Sequence, residues 1–138
     1  MGLRSWIASR HRPKSLGERG ELAAARFLKR RGYHILARHL DLPLGELDII
    51  AADGRTVVFV EVKTRSSMEA GHPADAIDSR KQQRMTQAAL AFLKAHRLLN
   101  HAARFDVVAV TWADGTKKPT IEHIQDAFPA VGRGQFFS

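Results

Sequence analysis

Residues 45–65 read GELDIIAADGRTVVFVEVKTR, two runs of β-branched and aromatic side chains on either side of Asp53-Gly54. Asp-Gly between two such runs is the strongest short-range hairpin signal, because glycine accepts the positive φ that a tight turn demands. Strands are expected at 47–51 and 56–64. A one-residue slip in a hairpin turns every side chain to the other face, so the turn decides where the charges go. With Asp53 and Gly54 as the two turn residues, Asp48 stands opposite Phe59, and Glu61 and Lys63 share its face. Asp48 and Glu61 then become diagonal neighbours, about 7–8 Å apart at the backbone. Val58, Val60, Val62, Leu47 and Ile49 take the other face and supply the apolar packing.

Two half-buried carboxylates repel each other unless they share a cation or a proton. Oxygen ligands without cysteine or an organised histidine cluster suit a hard ion, Mg²⁺ or Mn²⁺, held by one or two carboxylates together with a substrate phosphate. Lys63 can set a positive charge beside the same phosphate. The structural alternative is an internal salt bridge between Glu61 and Lys63.

The rest of the chain alternates helix and strand. Residues 16–31 place Leu16, Gly20, Ala23, Ala24, Phe27 and Leu28 at helical spacing, and Gly32 ends the helix. A short strand is expected at 33–40 and a loop at 66–75. A second long helix at 79–99 carries Lys81, Met85, Ala88, Ala89, Phe92 and His96 on one stripe. Residues 104–111, apolar on both faces, read as a central buried strand, and 120–124 as an edge strand. The fold class is α/β, a mixed central sheet flanked by helices in the order α-β-β-β-α-β-β. One domain is expected at 15–128, between a flexible basic tail at 1–14 and a C-terminal tail at 129–138.

The net charge of +8 is uneven: residues 1–40 hold ten Lys and Arg against two Glu. Such a segment favours a polyanion, DNA above all, although a solvated basic face is the plain alternative. No apolar run reaches the roughly 18 residues of a membrane span, so no membrane partner is expected. The first residues lack the apolar stretch of a secretory signal, and there is no cysteine. A cytoplasmic protein is the expectation. A homodimer is left open.

Other charged positions admit two readings each. Glu21 lies at the border of the first helix's apolar stripe, where it can reach the charged face of the sheet or point to solvent. Arg19, Arg26 and Arg30 line the opposite border, to guide distant phosphates or to stay solvated. Lys81 opens the second helix, where the helix dipole offers a cation nothing, so a phosphate or the acidic cluster is a reason for it. Its stem can equally pack while its head reaches water. The seven histidines show no metal spacing, and Trp6, Trp112 and Phe136-Phe137 do not interleave with basic residues as a stacking platform would.

Taken together, GERGELAA at 17–24, GELDII at 45–50, VFVEVKTR at 58–65, Lys81 with Arg84, RFDVVAV at 104–110 and IEHIQDAF at 121–128 resemble the YraN-like family of bacterial proteins. That family resembles Holliday-junction-resolvase-like endonucleases of the restriction-endonuclease-like, PD-(D/E)xK superfamily. The resemblance runs in order over about residues 15–128 and implies that fold. It also implies a metal-dependent endonuclease acting on DNA, with Glu21, Asp48, Glu61 and Lys63 catalytic. Glu21, Asp48 and Glu61 would be ligands of Mg²⁺ or Mn²⁺, and Arg65, Lys81 and Arg84 would touch nucleic acid. Where relatives tend to show an Asn and an Arg between Leu36 and Gly45, this chain has His39 and Asp41. The alternative from another class is a nucleic-acid-binding or protein-interaction module that keeps the fold without cutting.

Overall fold

The computed structural model of the chain describes residues 14–66 and 71–131. Helix α1 spans Leu16–Arg30 and is followed by strands β1 (His34–Leu42), β2 (Gly45–Asp53) and β3 (Thr56–Arg65). A 3₁₀ turn at Pro73–Ala76 leads to helix α2 (Ser79–Ala95), then to β4 (Ala103–Thr111) and β5 (Thr120–Phe128). This is the expected α-β-β-β-α-β-β order. Of the expected tails, residues 1–13 and 132–138 lie outside the described residues, with Trp6, Phe136 and Phe137 among them; so do residues 67–70 of the expected loop.

The five strands lie side by side in sequence order. β1, β2 and β3 form an antiparallel meander, β3 and β4 are parallel, and β5 returns antiparallel along β4. A parallel pair requires a crossover, and α2 supplies it. The helices cover opposite faces. Ala24, Ala25 and Leu28 of α1 pack with Ile49, Val58, Val60, Val108 and Val110. Met85, Ala89, Phe92 and Leu93 of α2 pack with Ile50, Phe59, Phe105 and Val107. β3 and β4 are buried on both faces, which is why their valines run almost without interruption. Rings tie the α2 layer together: Phe92 meets Phe59 edge-on at 6.0 Å, Phe59 meets Phe105 at 5.8 Å, and Phe105 stacks on Phe128 at 4.8 Å.

Both helices begin at a side-chain cap and end in the same way. Ser15 accepts the N–H of Glu18, and Asp78 accepts that of Lys81. At the end of α1, Gly32 has φ 92° and the N–H of Tyr33 reaches back to Leu28 O at 3.0 Å. The second helix stops four residues short of the expected 99. Arg97 takes φ 56°, and the N–H of Leu98 bonds Leu93 O at 2.7 Å. This is the Schellman arrangement without its usual glycine. Leu98 packs against the α2-side core, and that burial offsets the strain at Arg97.

Two expectations about the hairpin are corrected. Asp53 pairs with Thr56, so the turn residues are Gly54 and Arg55. Gly54, φ 61°, takes the first central position that a type II′ turn gives to glycine. The register therefore differs by two residues from the expected one, Ile50 rather than Asp48 standing opposite Phe59. A shift of two leaves every side chain on its face. The second correction is Leu47, which joins the α2-side cluster while Ile49 joins the α1-side one. Alternation breaks in β1 at His39, whose φ of 51° is left-handed, and the paired β2 breaks with it. Leu40 and Leu47, partners in the ladder, both turn toward α2.

Candidate functional site

The β2–β3 ladder ends at the pair Ile49–Val60. Past that point Asp48 Oδ2 accepts the N–H of Val62 at 2.8 Å, a side chain standing in for a ladder bond. The bond holds the carboxyl where the strands part, within hydrogen-bonding reach of Glu61. Glu61 is only 4% exposed. Its Oε2 lies 3.8 Å from Lys63 Nζ and is bonded by Lys81 Nζ from the first turn of α2. Two carboxyls and two ammonium groups, from β2, β3 and α2, thus converge at the end of the hairpin.

Burial pushes the Asp48 carboxyl up to about 8, with the Glu61 charge adding to it and the Val62 N–H opposing. Glu21 also acts on Asp48, more weakly. Burial, and then the Lys81 ammonium, hold Lys63 below the usual lysine range. Burial works against the charge on Lys81 too, but its bond to Glu61, the Glu61 charge and its other neighbours together outweigh that and raise it.

Glu21 approaches from α1 because the helix lies directly on β3. Gly20 makes this contact: a Cβ there would fall 1.8 Å from Thr64 Oγ1. Glu21 turns to the β1 side, where its Oε1 lies 3.4 Å from His39 Nδ1, and His39 Nε2 in turn faces Glu46 at 3.5 Å. The hydrogen bond to Glu21, with both carboxylate charges, raises His39. The left-handed backbone at His39 therefore places an imidazole between two acids. The sequence shows no metal spacing among the histidines and gave no sign of this placement, since only the folded β1 brings His39, itself exposed, to α1.

The three basic candidates fall differently. Lys81 joins the acidic pair. Arg84 is exposed beside it, lining a hollow of about 520 Å³ with Gly45, Glu46, Asp78 and Arg80. Arg65 is engaged by the fold: its Nε donates to Thr111 Oγ1 at 3.2 Å and its guanidinium to Gly71 O at 2.8 Å.

Among the described residues no three Asp, Glu or His side chains converge tightly enough to cage an ion unaided. The donor set still fits a hard divalent cation. Its oxygens come from a carboxyl pair of which burial and then the neighbouring charge make one member favour its proton, and Mg²⁺ commonly takes only one or two carboxylates from the protein. Binding must displace that proton. The sign of the effect follows from the raised value. The cost of ionising Asp48 in the folded chain is absent below about pH 4, grows up to about pH 8 and is then constant. Mg²⁺ or Mn²⁺ is therefore expected to raise Tm by several degrees above pH 8 and to leave it nearly unchanged at pH 5. Thermal unfolding with and without metal checks this; equal shifts at both pH values would move ion binding elsewhere.

A second buried polar cluster went unseen in the sequence, because Asp106 sits inside a strand that reads as apolar on both faces. Asp106 is fully buried. It accepts from Arg104 Nε at 3.0 Å and from the Asp126 N–H at 2.9 Å, and bonds His123 Nε2 at 2.8 Å. Arg104 continues to Tyr33 Oη at 2.8 Å and Asp53 at 3.2 Å. The Asp126 N–H lies where β5 slips its register against β4, so the carboxylate secures a bulge. The one available signal was a charged residue in the middle of RFDVVAV.

The family described as "Uncharacterised protein family UPF0102" matches residues 20–110. A UPF0102 protein of Rhodopirellula baltica is 49% identical over 125 residues, 88% of this chain and 75% of its own length. UPF0102 proteins of Geobacter metallireducens and Geotalea uraniireducens are 48% and 50% identical over 115 residues, 83% of this chain and 93% and 90% of theirs. No helix among the described residues is long and apolar enough to cross a membrane.

Proposed function

The chain belongs to the uncharacterised protein family UPF0102, and for this member we propose the function of a metal-dependent endonuclease hydrolysing phosphodiester bonds in DNA, branched or otherwise structured DNA included. The observation that carries the reading is the convergence of Asp48, Glu61 and Lys63 where β2 and β3 part. Asp48 and Glu61, with Glu21 in support, would hold Mg²⁺ or Mn²⁺. When bound, the ion supplies positive charge at the scissile phosphate and favours deprotonation of a nearby water. Asp48 must give up its proton to bind, and the ammonium groups of Lys63 and Lys81 favour its charged form. Lys63, its ammonium held beside Glu61, faces the negative charge that grows on the phosphate, and a donor aimed there counts only by what it adds in the transition state. Lys81 balances Glu61, and with an ion held there it would be free to meet a phosphate.

The Lys81–Glu61 bond also favours a second reading, since it satisfies the buried carboxylate with no metal at all. On that reading the chain is a binding module that never cuts. Purified protein with Mg²⁺, Mn²⁺ or EDTA on single-stranded, duplex, flap and four-way DNA separates the two. Cleavage that EDTA abolishes is expected; salt-sensitive binding with no cleavage in either metal would leave the module.

A further inference from the structure

Six cationic side chains surround one concavity beside α1, on the flank away from Glu21. Lys14, Arg19, Arg26 and Arg30 come from α1 and the residues just before it, and Lys117 and Lys118 from the turn between β4 and β5. The groove has a volume of about 700 Å³ and no acidic side chain in its lining. Among the described residues none of the six has a carboxylate within ion-pair distance. Like charges gathered in this way repel, and a bound polyanion removes that cost.

The wall of the groove is built by packing. The Arg19 guanidinium lies over the Trp112 ring, 4.6 Å from its centroid. Trp112 Nε1 donates to the carbonyl of Lys117 at 3.3 Å. One indole thus holds a cation of α1 and the basic turn against each other. Lys14 and Leu22 line both this groove and a neighbouring hollow that holds Glu18, Glu21, Arg38 and His39, so the groove adjoins the Glu21 side of the candidate site.

We propose that this groove is a track for the phosphate backbone of the nucleic acid on which the Glu21–Asp48–Glu61 site acts. The proposal rests on the nuclease reading above and adds the path of the strand. A helix is about 10–12 Å across with its side chains, and backbone phosphates advance about 3.4 Å each. The groove therefore engages phosphates roughly three nucleotides or more from the one at the site.

The test is full-length R26E/R30E/K117E/K118E, four exposed positions whose replacement leaves the core untouched. Binding of a fluorescein-labelled DNA duplex, and of the matching RNA, is followed by anisotropy in EDTA over a salt series, with circular dichroism to verify folding. The parent is expected to bind DNA with affinity that falls steeply with salt. The variant should bind about a hundredfold more weakly at low salt, with a log–log salt slope shallower by about two to four, since each lost phosphate contact removes about 0.9. A folded variant that matches the parent on DNA overturns the groove and leaves the nuclease reading standing. A parent that binds neither nucleic acid overturns both, and a parent that binds RNA alone keeps the track while changing the substrate.

Discussion

Glu61→Gln is expected to lower metal-dependent cleavage by about a thousandfold or more while the protein still folds. The substitution keeps volume and hydrogen-bonding capacity at a position 4% exposed, so no cavity forms, and Lys81 retains an oxygen to bond. What disappears is one of two ligand charges, and loss of a single preorganised electrostatic contact in such a site costs about 10²–10³ in rate before any loss of metal occupancy is added. Asp48 is affected as well: without the Glu61 charge one of the causes that raise its carboxyl is lost, burial, the larger one, stays, and one carboxylate is left where two confined an ion. DNA binding in EDTA should be kept or strengthened, because a negative charge facing the phosphate has gone. Single-turnover cleavage and anisotropy on the same preparation check both halves. If Glu61 serves only as the partner of Lys63 and Lys81, the variant will change stability modestly and cut at the parent rate, and that result would remove the site.

Asp106→Ala should give the largest loss of stability of any single change outside the hydrophobic core. It leaves Arg104 and the nearly buried His123 without their acceptor and frees the Asp126 N–H at the bulge of β5. Breaking a buried charge network from one side typically costs about 3–5 kcal/mol. For a chain of this size that corresponds to a fall in Tm of roughly 10 °C or more. Burial alone would raise the Asp106 carboxyl, but His123, the Asp126 N–H and Arg104 together hold it below its ordinary value. A depressed carboxylate stabilises above about pH 4 and loses that contribution as pH falls through its folded value. The gap in Tm between parent and variant should therefore be full at neutral pH and narrow in acid. A loss under about 1 kcal/mol by denaturant titration, or a gap independent of pH, would mean that the network is not held together by this charge.

Much of the architecture was legible because its signals are local. Gly32 ends α1, apolar spacing marks both helices, β-branched and aromatic residues announce β3, and the apolar run of β4 announces a strand buried on both faces. Signals that depend on what a side chain packs against were weaker. Nothing near residue 95 marks the end of α2, since Arg97 adopts a glycine-like backbone only because Leu98 has a core to enter. Leu47 could not be placed because the alternation it follows is broken in the neighbouring strand, at His39.

The sequence by itself determined the order of the elements, the excess of positive charge in the first 40 residues, and the meeting of Asp48 with Glu61. That meeting survives an error of two residues in the turn, because strand side chains alternate with a period of two and such a slip preserves their face. Only the tertiary structure decided that Lys81, 20 residues away, would bond Glu61, that Gly20 would let α1 settle on Thr64 and bring Glu21 near, and that Asp106 would gather Arg104 and His123. It alone closed a basic groove from α1 and a turn almost a hundred residues later. Turn, cap and periodicity signals act over a few residues along the chain, whereas these contacts form only where helices come down on a sheet, at positions set by the burial of their apolar faces.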